Sequence, residues 1–297
     1  MSSSTRSLPS LPQTLVDAAI RVALDEDLGL AGDITTNATV AANATANAVI
    51  AARKLGVVAG LALAEAAFRA IEPETDFTIE IGDGETVKPG AVIARVSGNA
   101  RALLTAERVA LNFLGRLSGI ATLTRQYVDQ VAGTHAKIVD TRKTTPGLRA
   151  FEKYAVRCGG GYNHRVGLFD AVLIKDNHIV AAGGIASAIK AAKAAAGHMT
   201  KIEVEVDTLA QLEIVMREKV DCVLLDNMTP ANLVEAVAII GGRCLTEASG
   251  GVNLETVTEI AQTGVDLISV GALTHSASVL DLGLDFIASP KQAAIQA

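Results

Sequence analysis

KIEVEVDTLAQLEIVMREKVDCVLLDNMTPANLVEAVAIIGGRCLTEASGG, residues 201–251, contains three short apolar runs separated by polar and helix-forming segments. The runs are KIEVEV, CVLL and RCLT, and each is followed by polar or glycine-rich residues. Short apolar runs that alternate with helical segments of this length are typical of βα units, in which parallel strands are buried beneath helices. This stretch therefore predicts an α/β domain.

The same pattern extends in both directions from this stretch. Three further runs, KIVD, AVLI and LISV, begin near residues 137, 171 and 267. Successive runs start mostly 21 to 34 residues apart, which is the length of one βα unit. Six such units, with room for one further strand, predict a (β/α) barrel or a near relative of it rather than an open two-sided sheet. We place this domain at residues 116–297, with a C-terminal segment that can pack back on the preceding domain.

Residues 11–115 show a mixed pattern, which predicts an α+β domain in which strands dominate. A helix is predicted at Thr14–Leu24, and a long helix from an N-cap at Thr105 to Tyr127 is predicted to link the two domains. Turn signals such as GDGETVKPG separate four predicted short strands, at residues 49–51, 57–59, 77–81 and 92–96. Residues 1–10 are polar and are expected to form a flexible tail.

Composition limits the function classes that remain. The formal net charge of −6 and the pI near 5.4 argue against a nucleic-acid or anionic-membrane partner, because such partners need a basic face. The three cysteines are scattered and form no Cys-x-x-Cys pair, so neither a disulfide framework nor a zinc site is indicated. No apolar run approaches the ~20 residues of a membrane-spanning helix. We expect a cytoplasmic enzyme.

Cations are concentrated where a barrel places its active site, at the carboxyl ends of the strands. The cations that fall within the 34 residues from position 142 to position 175 include Arg142, Lys143, Arg149, Arg157, His164, Arg165 and Lys175. Arginine binds carboxylates and phosphates through two parallel charge-assisted bonds. A solvated face is the alternative for any single member, but together they predict a receptor for several anionic groups.

Two glycine loops and two acids also follow predicted strands. ASGG at residues 248–251 and VGAL at residues 270–273 occupy places where barrels often bind phosphate through backbone N–H groups. Glu205 and Asp226 lie at strand ends. They either pair with Lys175 and lock the barrel, or hold ribose hydroxyls or a hydrated Mg²⁺ and stabilise positive charge at an anomeric carbon. The sequence alone leaves both roles open.

Several longer motifs resemble the quinolinate phosphoribosyltransferase family. The two most specific are DTRKTTPGLR at residues 140–149 and GGGYNHRVGLFDAVLIKDNH at residues 159–178. The others follow in the expected order: EVEVDTL at 203–209, LLDNM at 224–228, EASGGV at 247–252 and SVGALTHS at 269–276. EDLGLAGDITT at 26–36 and TAERVALNFL at 105–114 also match, so the resemblance spans nearly the whole chain.

The resemblance implies an open β-sandwich N-terminal domain followed by an incomplete α/β barrel, assembled as a homodimer. It implies a pentosyltransferase that joins quinolinate to 5-phosphoribosyl 1-pyrophosphate with Mg²⁺ and without an organic cofactor, giving nicotinate mononucleotide, pyrophosphate and CO₂ on the route to NAD. Quinolinate would be bound by Arg142, His164, Arg165, Lys175 and, from the partner subunit, Arg108. The phosphoribosyl pyrophosphate would meet Lys143, Glu205, Asp226, Ser249, Gly250 and Gly271, with the metal near Glu205 and Asp226. Lys143, Lys175, Glu205 and Asp226 would be catalytic.

Three other functions remain open from the sequence. A related phosphoribosyltransferase could act on nicotinate or another pyridine or pyrimidine acid without decarboxylation, and its pocket would need cations for one carboxylate only. A non-catalytic phosphosugar-binding protein is predicted to lack at least one of Lys143, Glu205 and Asp226, and all three are present. A phosphate-binding isomerase or aldolase would fit the glycine loops, with Lys175 forming a Schiff base.

Overall fold

The computed structural model describes residues 8–287, and within them the chain forms two compact units. The first consists of residues 8–123, 157–159 and 277–287, and the second of residues 124–156 and 160–276. Of the predicted flexible tail, residues 1–7 lie outside the described part of the chain, and residues 8–10 have no regular secondary structure.

The helices and strands are numbered along the chain. The helices are α1 Gln13–Leu28, α2 Ile34–Thr39, α3 Leu61–Ile71, α4 Ala100–Gln130, α5 Arg149–Cys158, α6 Asp176–Ala181, α7 Ile185–Ala195, α8 Leu209–Val215, α9 Pro230–Ile240, α10 Val257–Gln262 and α11 Ala272–His275. The strands are β1 Thr45–Ala52, β2 Gly56–Val57, β3 Asp76–Ile79, β4 Thr86–Val87, β5 Val92–Asn99, β6 Lys137–Val139, β7 Val172–Ile174, β8 Ile202–Val206, β9 Cys222–Asp226, β10 Leu245–Ser249, β11 Leu267–Ser269 and β12 Leu282–Phe286.

The first unit is built on an antiparallel sheet of order β12-β1-β5-β3, beside the two-stranded pair β2-β4. β1 pairs with β5 from Thr45↔Asn99 onward and with β12 from Ala48↔Phe286 onward. Apolar side chains that the strands and α3 bury form its core, among them Ile50, Phe68, Phe77 and Ile93. β12 follows the barrel units in sequence but adds an edge to this sheet, so the last described strand belongs to the first unit.

The ends of several predicted elements were wrong in this first unit. Helix α4 begins at Ala100 rather than after Thr105, because the side chain of Asn99 caps it by accepting the backbone N–H groups of Arg101 at 2.9 Å and Ala102 at 3.2 Å. Thr105 instead lies within the helix and donates its hydroxyl to Asp33 at 3.1 Å. Helix α1 continues through the acidic residues expected to follow it, and Gly29, with φ of 51°, ends it.

The second unit confirms the six predicted parallel strands and the incomplete barrel. Its sheet has the order β6-β11-β10-β9-β8-β7. β6 and β7 are consecutive in sequence, yet they lie at opposite ends of this order, so the barrel is open between them. A single parallel bridge, Val139↔Tyr162, extends the sheet beyond β6 at this opening. The central strands are buried on both faces, since the returning helices cover one side and the barrel interior lies on the other.

Short loops join the central strands to their helices. The hydroxyl of Thr208 accepts the N–H of Gln211 and starts α8 three residues after β8 ends. Thr229 caps α9 in the same way, with Pro230 at the first helical position. Polar residues at the carboxyl ends of these strands are thus held between two rigid elements. No helix among residues 8–287 combines the length and the apolar composition that a membrane span requires.

Candidate active site

A cavity of about 390 Å³ opens at the carboxyl ends of β9, β10 and β11. It brings together five residues that the sequence nominated for the phosphoribosyl side: Lys143, Asp226, Ser249, Gly250 and Gly271. Asp226 and Ser249 are the last residues of adjacent strands and stand directly opposite in the register. Parallel strands therefore deliver a carboxylate, a hydroxyl and glycine backbone to one small volume.

Two of the glycines in this cavity, Gly250 and Gly271, admit no larger side chain without displacement of a neighbour. Gly250 has a φ of 90°, and a Cβ built on it would lie 2.1 Å from the side-chain Oδ1 of Asn227. A Cβ on Gly271 would lie 3.0 Å from the Cδ of Lys143. Glycine is therefore needed at position 250 both for its backbone conformation and for the space above it. Such bare backbone allows close approach of an anionic group.

The exposed Lys143 belongs to a loop that is tied to the end of α11. The hydroxyl of Thr274 donates to the backbone carbonyl of Lys143 at 2.7 Å. His275, on the same helix, also lines the cavity, and its Nδ1 lies 2.7 Å from the hydroxyl of Ser276.

The guanidinium groups of Arg142 and Arg165 lie within electrostatic range of each other. Burial, followed by the charge of Arg142, lowers the pKa of Arg165. The buried Nε of Arg142 has no hydrogen-bond partner among the described residues. Because two like charges and an unused buried donor are unfavourable without an anion, this pair has the character of an anion receptor.

Other members of the cation cluster have separate roles. Arg149 uses its guanidinium to bind the Thr144 hydroxyl at 2.9 Å and the Val166 carbonyl at 3.1 Å, so it shapes the loops around the receptor. Arg157 lies in the last turn of α5 and is assigned to the first compact unit, and its expected place among the cations at the strand ends stays a prediction.

Lys175 directly follows β7, and its ammonium forms an ion pair with Glu205 of β8. The Lys175 side chain is 45% exposed and that of Glu205 13%. The locking contact that the sequence left open therefore exists in this structure. Such a pair is weak while one member faces solvent, so a ligand that competes for either charge can take it over.

A buried ion pair stabilises the segment that carries His164 and Arg165. Asp140, immediately after β6, accepts hydrogen bonds from the ammonium of Lys153, from the amide of Asn163 at 2.6 Å and from the backbone N–H of His164 at 2.9 Å. Burial raises the pKa of Asp140 against the opposing effect of Lys153, and burial lowers the pKa of Lys153. The network fixes the backbone that carries His164 and Arg165. The sequence reasoning missed Lys153, whose only signal is an internal position on the amphipathic helix α5.

His164 has both ring nitrogens engaged. Its Nδ1 accepts the backbone N–H of Arg165 at 2.7 Å, and its Nε2 lies 2.9 Å from Glu203 and 3.7 Å from Glu247. A ring that accepts at Nδ1 carries its proton on Nε2, which therefore donates to Glu203. Burial acts to lower the pKa of His164, but the hydrogen bond to Glu203 and the two carboxylate charges outweigh it and raise that pKa. A second proton on Nδ1 would displace the Arg165 N–H.

His164, Glu203 and Glu247 are the only group of three side chains among residues 8–287 whose spacing could suit a metal ion. Because Nε2 carries the ring proton, however, no lone pair faces the two carboxyl groups, and the group is better described as a proton-holding cluster. Burial, reinforced by the charge of Glu203, raises the pKa of Glu247 to about 8. Glu247 is therefore largely protonated at neutral pH.

Arg108 lies on α4 in the first unit, with a side chain that is 64% exposed and 4.0 Å from Glu107. It is accessible to a second subunit, and its expected role across a dimer interface stays a prediction. The structure thus brings Lys143, Asp226, Ser249, Gly250 and Gly271 to one cavity. It places Arg142 and Arg165 within electrostatic range of each other, pairs Lys175 with Glu205, and leaves Arg108 on the surface of the first unit.

Comparison with known proteins gives the family. Residues 33–118 match the N-terminal domain of quinolinate phosphoribosyl transferase and residues 120–285 match its C-terminal domain. The chain is 45% identical over 260 residues to a probable nicotinate-nucleotide pyrophosphorylase [carboxylating] of Bacillus subtilis, covering 88% of this chain and 89% of that protein. It is 46% identical over 271 residues to the nicotinate-nucleotide pyrophosphorylase [carboxylating] of Mycobacterium leprae, covering 90% and 95%. The crystal structure of NadC from Streptococcus pyogenes superposes with a TM-score of 0.90 at 41% identity, covering 94% of this chain and all of that one. The chain belongs to the quinolinate phosphoribosyltransferase family.

Proposed function

We propose that this chain transfers the phosphoribosyl group of 5-phosphoribosyl 1-pyrophosphate to quinolinate with loss of CO₂, and that it forms nicotinate mononucleotide and pyrophosphate in the cytoplasm. The observation that carries the proposal is the close pair Arg142 and Arg165, one with an unused buried donor, next to the cavity that Lys143 lines. A site that binds a doubly anionic ring beside an activated sugar phosphate needs both the arginine pair and the neighbouring cavity. The names of the relatives support the same chemistry.

Quinolinate would be held by cations from separate loops. Arg142 and Arg165 each offer a planar fork that can bind one carboxylate through two parallel bonds. Lys175 can exchange its ion pair with Glu205 for a contact with the second carboxylate. His164, whose two ring nitrogens are engaged by Arg165 and Glu203, would serve the same group by fixing the backbone that carries Arg165. Arg108 of a partner subunit would complete the receptor in a homodimer.

The phosphoribosyl pyrophosphate would occupy the cavity at the ends of β9, β10 and β11. Ser249, Gly250 and Gly271 offer a hydroxyl and bare backbone to a phosphate. Glu205 and Asp226 would hold ribose hydroxyls and stabilise the positive charge that develops at the anomeric carbon. Lys143 would spread the charge of the departing pyrophosphate, a role in which it contacts the reacting group directly.

The acids in this site suit Mg²⁺ bound largely through the substrate and water. Carboxylate oxygens are the ligands that Mg²⁺ prefers, and it commonly uses one or two of them together with substrate phosphates. Glu205 and Asp226 fit that donor set, whereas the only three-ligand cluster among residues 8–287 contains neither of them. When bound, Mg²⁺ would neutralise charge on the pyrophosphate.

Decarboxylation would require no organic cofactor. Once the ring nitrogen is joined to ribose it becomes cationic, and it can stabilise the carbanion left when the adjacent carboxylate departs as CO₂. A proton taken up from solvent after CO₂ has left then occupies that ring carbon. The protein would hold the intermediate, exclude water and leave this carboxylate facing the ring charge. The buried networks below Arg165 keep the receptor in place during that step.

The direct test uses quinolinate labelled at the ring carboxylate that is lost, with phosphoribosyl pyrophosphate and Mg²⁺. We expect labelled CO₂, nicotinate mononucleotide and pyrophosphate in equal amounts, and no turnover when nicotinate replaces quinolinate. Pyrophosphate without CO₂, or equal turnover of nicotinate, would refute the decarboxylating reaction and support the rival phosphoribosyltransferase.

A second experiment tests whether Arg142 belongs to the anion receptor. Arg142→Lys keeps the charge but removes the two-pronged contact, and should raise the KM for quinolinate about 10- to 100-fold, as expected from the 1.5–3 kcal/mol of a charged hydrogen bond. Arg217→Lys, at an exposed position on the barrel unit, is the matched control and should change nothing. An unaltered KM in Arg142→Lys would remove that residue from the receptor.

A further inference from the structure

Asn227 is the only non-glycine residue among residues 8–287 with a positive φ, which is 53°. It directly follows Asp226 at the end of β9 and lines the cavity described above. Most L residues avoid this left-handed conformation, and asparagine tolerates it better than any residue except glycine. Backbone of this kind persists only where surrounding contacts hold it, and it is concentrated at functional sites.

Three contacts hold Asn227 in place. Its side-chain amide donates to the Oδ2 of Asp226 at 2.6 Å, and its backbone N–H donates to the carbonyl of Ser249 at 2.9 Å. Its Oδ1 fills the space that a side chain at position 250 would occupy, 2.1 Å from an ideal Cβ on Gly250. A single residue therefore contacts both the acid at the end of β9 and the glycine turn at the end of β10.

The bond to Asp226 has a chemical consequence. With Oδ2 occupied by an amide donor, the carboxylate cannot rotate freely, and Oδ1 is the oxygen left for a ligand. The bond is charge-assisted, and at 2.6 Å it is short for an N–H donor. A carboxylate fixed in advance need not reorganise when the ligand arrives.

We propose that Asn227 is a positioning residue that orients the Asp226 carboxylate and fixes the Ser249–Gly250 turn, so that both meet the phosphoribosyl group in one arrangement. The identity of the ligand rests on the proposed function, whereas the geometry of the residue does not. Asn227 acts through its two neighbours and is assigned no contact with the reacting atoms.

Three substitutions separate positioning from a merely structural role. Asn227→Gly keeps the left-handed backbone and removes the amide. Asn227→Asp keeps the shape, tolerates the backbone nearly as well, and replaces the donor by a second carboxylate beside Asp226. Asn227→Ala removes the amide and also strains the backbone. Asn232→Asp, exposed on α9, adds the same negative charge away from the cavity and is the matched control.

Steady-state kinetics should show a selective effect. In Asn227→Gly we expect the KM for phosphoribosyl pyrophosphate and the Mg²⁺ concentration for half-maximal rate to rise about tenfold, the effect of one lost charged hydrogen bond. The KM for quinolinate and the melting temperature should stay at the wild-type values. Asn227→Asp should be impaired more, because it places like charges together. If Asn227→Gly and Asn227→Asp match the wild type and only Asn227→Ala is impaired, the residue serves the backbone alone and the proposal fails.

Calorimetric titration with ribose 5-phosphate and Mg²⁺ separates this inference from the proposed function. Wild-type protein that binds ribose 5-phosphate but does not turn over quinolinate would contradict the proposed function; a roughly tenfold weaker affinity in Asn227→Gly would then still support the positioning role. Active wild-type protein whose affinity and KM are unchanged in Asn227→Gly would overturn the inference and leave the function standing. Absence of both binding and turnover in the wild type would overturn both.

Discussion

Replacing Glu247 by glutamine should make the stability of the protein less sensitive to pH between pH 6 and pH 8. Glu247 lies in the barrel interior with 1% of its surface exposed, and burial together with the charge of Glu203 raises its pKa to about 8. Below that pH the side chain is a neutral carboxylic acid, for which glutamine is a close match in shape. The variant should therefore fold normally at pH 6.

The magnitude follows from the difference between the two pKa values. Between the ordinary value of 4.5 and the folded value of about 8, the folded protein holds a proton that the unfolded chain has lost. Stability then falls as pH rises, by up to about 1.4 kcal/mol per pH unit. From pH 6 to pH 8 the wild type should lose about 2 kcal/mol relative to Glu247→Gln, whose side chain does not titrate. The pKa of His164 is raised, so its stabilising contribution is also lost as pH rises, and it adds to the fall in the same direction.

Thermal melts followed by circular dichroism at pH 6, 7 and 8 measure this difference. About 2 kcal/mol corresponds to roughly 4–8 °C in melting temperature for a domain of this size. Glu213→Gln, at an exposed position on α8, controls for the loss of a carboxylate and should follow the wild-type curve. If the curves of wild type and Glu247→Gln run parallel from pH 6 to pH 8, Glu247 does not hold a proton in the folded barrel and the reasoning is wrong.

Three further experiments test other parts of the site. Lys153→Met leaves the Asp140 carboxylate buried without its cation and should lower the free energy of unfolding, measured by urea titration, by about 3–5 kcal/mol. Adding Asp140→Asn should recover part of this loss. An unchanged free energy of unfolding in Lys153→Met would contradict the pairing. If the subunits of a dimer share sites, mixing inactive Arg108→Ala with inactive Lys143→Ala should restore about one quarter of wild-type activity. Half of the dimers then contain one subunit of each kind, and each of these has one intact site of two. No recovery of activity would place Arg108 outside the shared site. Gly250→Ala should raise the KM for phosphoribosyl pyrophosphate at least about tenfold. Backbone strain at a φ of 90° costs about 1–3 kcal/mol, and the new Cβ meets a neighbouring side chain. A wild-type KM would show that the turn can relax.

The barrel could be predicted because its signals are local. Each strand is a short apolar run, and each run ends where a polar or glycine-rich loop begins, so six strands were placed within a few residues of their observed ends. The end of β5 was harder, since SGNA continues the strand to Asn99 and then starts α4 with no intervening turn. The helices α2 and α3 were also missed. The six residues of α2 are too few for an apolar periodicity to stand out.

The cavity residues were found by one geometric rule, that parallel strands bring their carboxyl ends together. This rule identifies Asp226, Ser249 and Gly271 as neighbours without any knowledge of their contacts. It does not reach Lys153, which lies on a helix, or Glu247, which lies below the rim within a strand. Their partners come from distant parts of the chain, and sequence spacing carries no information about such pairs. The left-handed backbone of Asn227 was also invisible, because asparagine adopts many conformations.

The charged interior of this barrel is better explained by the demands of its rim than by stability. Burying Asp140, Lys153, Glu203 and Glu247 is unfavourable in itself, and apolar residues of similar volume would often serve folding as well. The buried groups provide a fixed series of hydrogen bonds that reaches the rim. Asp140 accepts the backbone N–H of His164. The His164 ring binds Glu203 through Nε2 and accepts the backbone N–H of Arg165 at Nδ1. Arg165 is thus held beside Arg142 although their like charges repel, and the receptor exists before an anion arrives. A receptor formed only upon binding would spend part of the ligand's interaction energy on bringing the two charges together, and it would bind the doubly anionic ring correspondingly more weakly.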